Sequence, residues 1–243
     1  MADTPMFPPI EKFQLEVTEN IHHTPWVWLP RFRRTDGKPL DFLAGQWVLT
    51  RVEKNGEDIR RAYSVASPPH IQEYFELCVK KVEGGAMSPI LCGLETGDII
   101  DGAGPYGKVI LVNPIETGFY YIATGTGIAP FRSMIDTMYE HGHDVPITLY
   151  FGVRKEEDII YHDHWLGLAK EHARFQYIPT LSRPINGWKG ERGYVQRLVK
   201  ERVESWNDEE VYICGIPEMV DEVREMFMDM GAPKDRTHVE KWY

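Results

Sequence analysis

Three short segments carry residue types suited to chemistry. Arg60-Arg61-Ala62-Tyr63-Ser64-Val65-Ala66-Ser67 sets a cation, an aromatic face and a hydroxyl close together in a run with strand alternation. Such groups suit a phosphate, a flat ring and a ring nitrogen. In Glu83-Gly84-Gly85-Ala86-Met87-Ser88-Pro89 the glycines permit close backbone approach, and a helix start after them would aim free N–H groups at a pyrophosphate. Ile122-Ala123-Thr124-Gly125-Thr126-Gly127-Ile128-Ala129-Pro130 reads as a strand, a glycine turn and a helix opened by Pro130, outside the usual G-x-G-x-x-G dinucleotide pattern. Singly, the first two segments also read as an edge strand and a turn before a helix; order and spacing make them informative.

The elements that must position these residues change character part-way along the chain. From Phe13 to about Val112 the apolar residues fall in short β-rich runs (Phe13–Val17, Trp47–Val52, Tyr63–Ala66, Tyr74–Val82, Val109–Val112) broken by Gly, Pro and Asp. This half predicts an antiparallel Greek-key β-barrel over residues 1–113. After Asn113-Pro114, strands alternate with amphipathic helices, which predicts a Rossmann-like α/β domain with a parallel sheet over residues 114–243. The carboxyl ends of its strands carry Gly125-Thr126-Gly127, Gly152-Val153-Arg154 and Cys214-Gly215, where such sheets offer a ligand crevice.

Composition narrows the function classes. The 243 residues suffice for two modest cores, and 27 Lys+Arg against 37 Asp+Glu, net −10, argue against nucleic acid and anionic membrane surfaces as partners. No apolar run approaches the roughly 20 residues of a bilayer span, and the N-terminal segment lacks a signal-peptide pattern, so a soluble cytoplasmic protein is expected. Cys78, Cys92 and Cys214 fit neither a disulfide framework nor a four-cysteine cluster. The histidines of Tyr161-His162-Asp163-His164 and His141-Gly142-His143-Asp144 do not match zinc spacing, and no metal is expected.

In this order and spacing RAYS, GGAMS, GTGIAP and CGIPEMV resemble the ferredoxin–NADP reductase superfamily over nearly the whole chain, its bacterial ferredoxin and flavodoxin reductases above all. The resemblance implies FAD on the first domain. Arg61 would meet its pyrophosphate, Tyr63 would stack on the isoalloxazine, Ser64 would bond near N5, and Ala62 lies between them. Gly85, Ala86, Met87 and Ser88 would hold the flavin phosphates, with Cys78, Val79 and Lys80 on the bordering strand. It implies NADP(H), with NADH as the alternative, on the second domain: Gly125, Thr126 and Gly127 around the phosphates, Thr126 also toward the flavin, and Cys214, Gly215, Pro217 and Met219 at the nicotinamide. A terminal aromatic, Tyr243 or in its place Trp242, would cover the second flavin face, and Glu240 would anchor the tail or relay protons. Ser64, Cys214, Glu240 and Tyr243 are the residues expected nearest the hydride transfer, although a cysteine ending a buried strand is more often a small core residue.

Coenzyme choice turns on the adenosine ribose, where arginines cradle a 2′-phosphate and a carboxylate accepts from a free 2′-hydroxyl. Arg154, Ser182-Arg183 and Arg192 lean toward phosphate; Glu156, Glu157 and Asp158 could supply the opposing carboxylate. The expected activity is hydride transfer between NADP(H) and FAD, with single electrons passing to a separate ferredoxin or flavodoxin. Arg31, Arg33, Arg34 and Lys38 are the candidate basic patch for that acidic partner. Two readings rank lower: an NADH-dependent reductase component of a multicomponent oxygenase, and a flavin-carrying electron-transfer subunit without catalysis of its own. Monomer is the family default.

Overall fold

The computed structural model describes residues 7–54, 56–185 and 187–242. Two compact units emerge: one holds the chain to Pro114 together with Ala129–Gly142, and the other holds Ile115–Ile128 and the chain from His143 onward.

In the first unit, β1 (Glu11–Thr24) buries Phe13, Leu15 and Val17 while Gln14 and Glu16 between them stay outside, the alternation a half-buried strand requires. It is followed by β2 (Val27–Arg34), β3 (Trp47–Lys54), β4 (Glu57–Ser64), β5 (Phe75–Glu76), β6 (Val79–Lys80), the single helical turn α1 (Ser88–Leu91) and β7 (Ile99–Tyr106). The strand order is β4-β3-β7-β1-β2-β5, with β6 also on β2 and every pairing antiparallel. An antiparallel bridge from Val65 to Leu77 links the end of β4 back to β5 and closes the barrel. Strand β7, arriving late in the chain, inserts between β1 and β3, which is the Greek-key crossing. Phe13, Leu15, Phe32, Val48, Leu77 and Met87 fill the interior with their neighbours.

Three elements depart from the sequence expectation. Val109–Val112 is half-buried but joins no sheet; Leu111 N–H instead donates to the Ala44 carbonyl at 2.9 Å. The strand in that region is β7, disguised by Gly102, Gly104 and Pro105. Gly102 is required because a Cβ there would come within 2.6 Å of Phe13 Cε2 and 2.8 Å of Leu15 Cδ1. Strand β2 was hidden by Pro30 and three arginines, and the run Tyr74–Val82 splits into β5 and β6.

The second unit contains β8 (Phe119–Thr124), β9 (Ile147–Val153), α3 (His162–Glu171), β10 (Phe175–Leu181), β11 (Glu191–Arg192), α4 (Val195–Arg202), β12 (Glu210–Gly215), α5 (Pro217–Asp229) and β13 (Thr237–Lys241); α2 (Ala129–Glu140), between β8 and β9 in the chain, belongs to the first unit. The sheet is wholly parallel in the order β11-β10-β9-β8-β12-β13. One face packs Ile122, Tyr150 and Ile213 against Val195, Val199, Val223 and Phe227 of α4 and α5. On β8 and β12, Tyr121 stacks on Tyr212 at 5.2 Å, and Tyr212 on His238 of β13 at 4.3 Å. Such ring pairs stabilise beyond their buried area by ~0.5–1.5 kcal/mol.

Candidate functional site

Strand β4 brings the first segment to the end of the barrel wall. Arg61 is exposed, its guanidinium donating only to the Arg60 carbonyl at 2.7 Å, and it forms no ion pair among the described residues. Its neighbour Arg60, by contrast, is paired with Asp58. Tyr63 lies partly buried against the barrel core, and burial pushes its phenol up to about 12, with Cys92 adding to the rise and Arg61 opposing it. At ordinary pH Tyr63 is therefore a neutral ring. Ser64 is buried at the strand end, and half-buried Ala62 pairs with Leu49.

The second segment follows β6. Gly84 adopts φ +72° with nothing within 4 Å of a would-be Cβ, leaving the backbone open to a ligand. At Gly85 a Cβ would stand 3.0 Å from the Val82 carbonyl and 3.1 Å from Ser88 Oγ, so this turn is tight. Ser88 Oγ accepts the Val82 N–H at 3.1 Å and pins the turn. Ala86 is exposed, whereas Met87 points into the core. Cys78 and Val79 are also buried, Val79 within the core cluster, and Lys80 projects outward. A ligand would therefore meet the backbone of Met87 and Val79 rather than their side chains.

In the second unit every strand ends at the same edge. Chain direction along the sheet diverges at β8: β9, β10 and β11 are added on one side, β12 and β13 on the other. That divergence is the switch point where open α/β sheets bind ligands, and Gly125-Thr126-Gly127 sits on it as a 3₁₀ turn. Gly125 has φ +54° and open space where a Cβ would go. Gly127 is excluded from bearing a side chain, because its Cβ would overlap the Cys214 carbonyl oxygen. Gly215, at φ +151°, would overlap Thr124 Oγ1, which accepts the Ile216 N–H at 3.1 Å. Pro217 opens α5, and Met219 is buried beneath Gly215, so its part is packing.

Along this edge the chemistry is graded. On one side of the switch point Arg154 ends β9, Ser182 and Arg183 follow β10, and Arg192 lies on β11. Arg183 N–H donates to the Arg154 carbonyl at 2.8 Å, which holds those two side by side. Ser182 N–H and Oγ both bond the Val153 carbonyl, at 3.0 and 3.4 Å. All three arginines are exposed; none is ion-paired among the described residues, and Arg192 donates to the Trp188 carbonyl at 2.8 Å. Two of the three carboxylates that stand opposite are engaged locally: Glu157 pairs with Lys155 Nζ at 3.0 Å, and Asp158 accepts the Lys155 N–H at 3.0 Å. Lys155, Glu156, Glu157 and Ile185 line a depression of about 370 Å³ beside them. Sequence reasoning passed over Tyr194, which follows Arg192 by two residues and is 67% exposed; an aromatic after an arginine-glycine turn was the available signal.

On the other side, β13 sets Glu240 opposite Cys214. Burial, and then the Glu240 charge, raise the Cys214 thiol well above its usual value, so it is not a thiolate. Burial raises Glu240 to about 7 against a hydrogen bond from the Trp242 side chain. Glu240 Oε2 is enclosed and has no hydrogen-bond partner among the described residues. Trp242 N–H donates to the Gly215 carbonyl at 3.0 Å, tying the tail to the end of β12. Tyr243 lies outside the described residues.

An unpaired arginine beside a neutral ring and an open glycine turn suit FAD on the first unit. Open glycine backbone, unpaired arginines and an orphaned carboxyl oxygen suit a nicotinamide dinucleotide on the second. Comparison with known proteins agrees. An oxidoreductase FAD-binding domain matches residues 14–110 and an oxidoreductase NAD-binding domain residues 121–225. Ferredoxin–NADP reductase B of Sorangium cellulosum is 39% identical over 226 residues, 90% of this chain and 93% of that protein. The chain belongs to the ferredoxin–NADP reductase family. Its members reach further: the reductase component of phenol 2-monooxygenase from a Pseudomonas strain is 32% identical over 188 residues, which are 76% of this chain but 53% of that protein. The crystal structure of an Amycolatopsis cytochrome P450 reductase superposes with TM-score 0.87 at 28% identity, over 96% of this chain and 70% of that one. As a member of the ferredoxin–NADP reductase family the chain is an oxidoreductase that uses FAD and a nicotinamide dinucleotide.

One expectation is corrected. Three of the four cations of the basic cluster are paired with carboxylates, and Lys38 alone of the four is left outside these pairs: Arg31 pairs with Glu19 at 2.6 Å and Glu76 at 2.9 Å, Arg33 with Glu16 at 2.8 Å, and Arg34 with Glu11 at 2.5 Å and Asp36 at 2.6 Å. Adjacent strands β1 and β2 present carboxylates opposite these arginines, a cross-strand pairing that the linear sequence conceals. Among the described residues, no helix is long and apolar enough to cross a membrane.

Proposed function

We propose that the protein accepts a hydride from NADPH and delivers electrons one at a time to a separate ferredoxin or flavodoxin. The order of groups along the sheet edge carries this reading: unpaired arginines on β9–β11, open glycine backbone at β8, and the Cys214–Glu240 pair on β12–β13. From β12 to β10 is three strand spacings, roughly 14 Å, a stretch along which a dinucleotide can lie with its 2′-phosphate on Arg154 and Arg183 and its nicotinamide toward Cys214. Tyr194 then offers an open ring for the adenine. The neutral Cys214 thiol supplies a small surface and no charge, and hydride transfer between two cofactors requires no thiolate.

When bound, FAD supplies the conversion of a two-electron hydride into single electrons. The residues' task is binding and orientation. Arg61 would hold a phosphate by charge-assisted hydrogen bonds, Tyr63 and Ser64 would fix a ring and its polar edge, and the Gly84–Ser88 turn would present backbone N–H groups. Glu240, at about 7, exchanges its proton near neutrality and can hold or release it beside the nicotinamide.

The oxygenase-reductase reading is the second one, favoured by relatives such as the phenol 2-monooxygenase component at 32% identity; the 39% identity to the Sorangium ferredoxin–NADP reductase favours the first. NADPH-driven reduction of an added ferredoxin, with NADH much slower, is the expected result. Equal or better turnover with NADH moves the assignment to the second reading.

A further inference from the structure

Helix α2 begins at Ala129, the residue directly after the glycine turn Gly125–Ile128, yet it packs with the first unit. Three contacts within that unit hold it. Near its start, Arg132 Nη1 donates to Glu76 Oε1 at 2.5 Å, and Arg132 also pairs with Asp136 at 3.5 Å. In the middle, the Met134 methyl fills the notch above Gly45, where a Cβ would overlap it. At the far end, Glu140 approaches His70 at 4.0 Å.

The first contact is the most consequential. Glu76 is 1% exposed, and its other oxygen accepts from Arg31 Nε at 2.9 Å, so one buried carboxylate is shared by two guanidinium groups. A charge taken out of water is tolerated only when paired and hydrogen-bonded, and this pairing fixes Arg132 relative to β5. Glu76 is also held through its backbone: its N–H donates to Ser67 Oγ at 3.0 Å and its carbonyl accepts the Ala66 N–H at 2.8 Å. Ala66 and Ser67 lie two to four residues after Tyr63 and Ser64. A single residue, Glu76, thus joins the segment continuing the flavin-binding strand to the helix continuing the dinucleotide turn.

We propose that Arg132 is a positioning residue for hydride transfer: through Glu76 it fixes the helix that continues the dinucleotide turn against the segment that continues the flavin strand. The inference rests on the hydride-transfer reading above, in which one proton and two electrons leave nicotinamide C4, giving NADP⁺ and reduced flavin. Arg132 is absent from both sets of binding residues. Its loss therefore leaves the affinity for each cofactor intact and degrades only the transfer, which tolerates little misplacement.

The test compares the FAD-loaded parent with Arg132→Ala and Arg132→Lys. In Arg132→Ala, Glu76 keeps Arg31, so folding is not staked on the pair. Expected for Arg132→Ala are a fall of about tenfold or more in the limiting rate of flavin reduction, affinities for FAD and NADP⁺ within about twofold of the parent, and faster amide hydrogen exchange across 129–142. Arg132→Lys, which keeps the charge, is expected to restore both protection and most of the rate. The proposal is overturned if Arg132→Ala reduces its flavin at the parental rate, if its rate falls only in proportion to lost FAD, or if Arg132→Lys restores protection without rate. A parent that does not reduce its flavin at all overturns the hydride-transfer reading and this inference with it, a result distinct from parent and variant reacting alike.

Discussion

Replacing Glu240 by glutamine removes a titrating group while keeping a side chain of the same shape beside Cys214 and Trp242. In the folded protein the carboxyl is raised from 4.5 to about 7, chiefly by burial. The folded state therefore binds a proton that the unfolded chain has already released between those two values, so Glu240 lowers stability progressively as pH rises through that window. At about 1.4 kcal/mol per tenfold in proton affinity, the parent loses about 2.5 kcal/mol relative to Glu240→Gln between pH 5 and pH 8, and nothing further above that. The comparison is a difference, so the other titrating groups, which the two proteins share, cancel. Urea unfolding of both proteins at pH 5 and pH 8, with saturating FAD, measures it. A gap that stays constant, or a parent that gains on the variant as pH rises, refutes the assignment of a raised carboxyl at Glu240.

Other perturbations have equally definite outcomes. Arg154→Ala and Arg183→Ala each remove an exposed charge-assisted contact to a 2′-phosphate, so each should lower kcat/KM for NADPH by about tenfold and leave NADH within about twofold; steady-state kinetics with both coenzymes checks this. Gly127→Ala should destabilise by about 1–3 kcal/mol, because the Cys214 carbonyl must move, whereas Gly125→Ala meets open space and costs only the left-handed backbone, ~1 kcal/mol; thermal unfolding distinguishes them. With Cys78, Cys92 and Cys214 all buried, and the last two raised by burial, a thiol reagent should modify no cysteine rapidly in the folded protein and all of them in urea.

The division of the chain into a barrel half and a parallel-sheet half was legible because hydrophobic period changes near Asn113, and the strand-end glycines and arginines were legible because parallel strands place all their carboxyl ends on one edge. What escaped had local disguises. β7 carries the glycines and proline of a loop, and of these Gly102 is required by the close approach of Phe13 and Leu15. α2 reads as a Rossmann helix by position, and the Gly45 notch, the buried Glu76 and the approach of His70 to Glu140 reveal the unit with which it packs. Arg31, Arg33 and Arg34 form a basic run in sequence, yet their partners Glu19, Glu16 and Glu11 lie on the neighbouring strand, out of view until the register is known.

The central claim is hydride transfer to a bound flavin from a coenzyme selected by arginines. Anaerobic rapid mixing of the FAD-loaded protein with NADPH, and separately with an equal concentration of NADH, tests it most directly. The account predicts loss of flavin absorbance within seconds with NADPH and much more slowly with NADH. Bleaching by neither, in a protein that holds FAD, contradicts it.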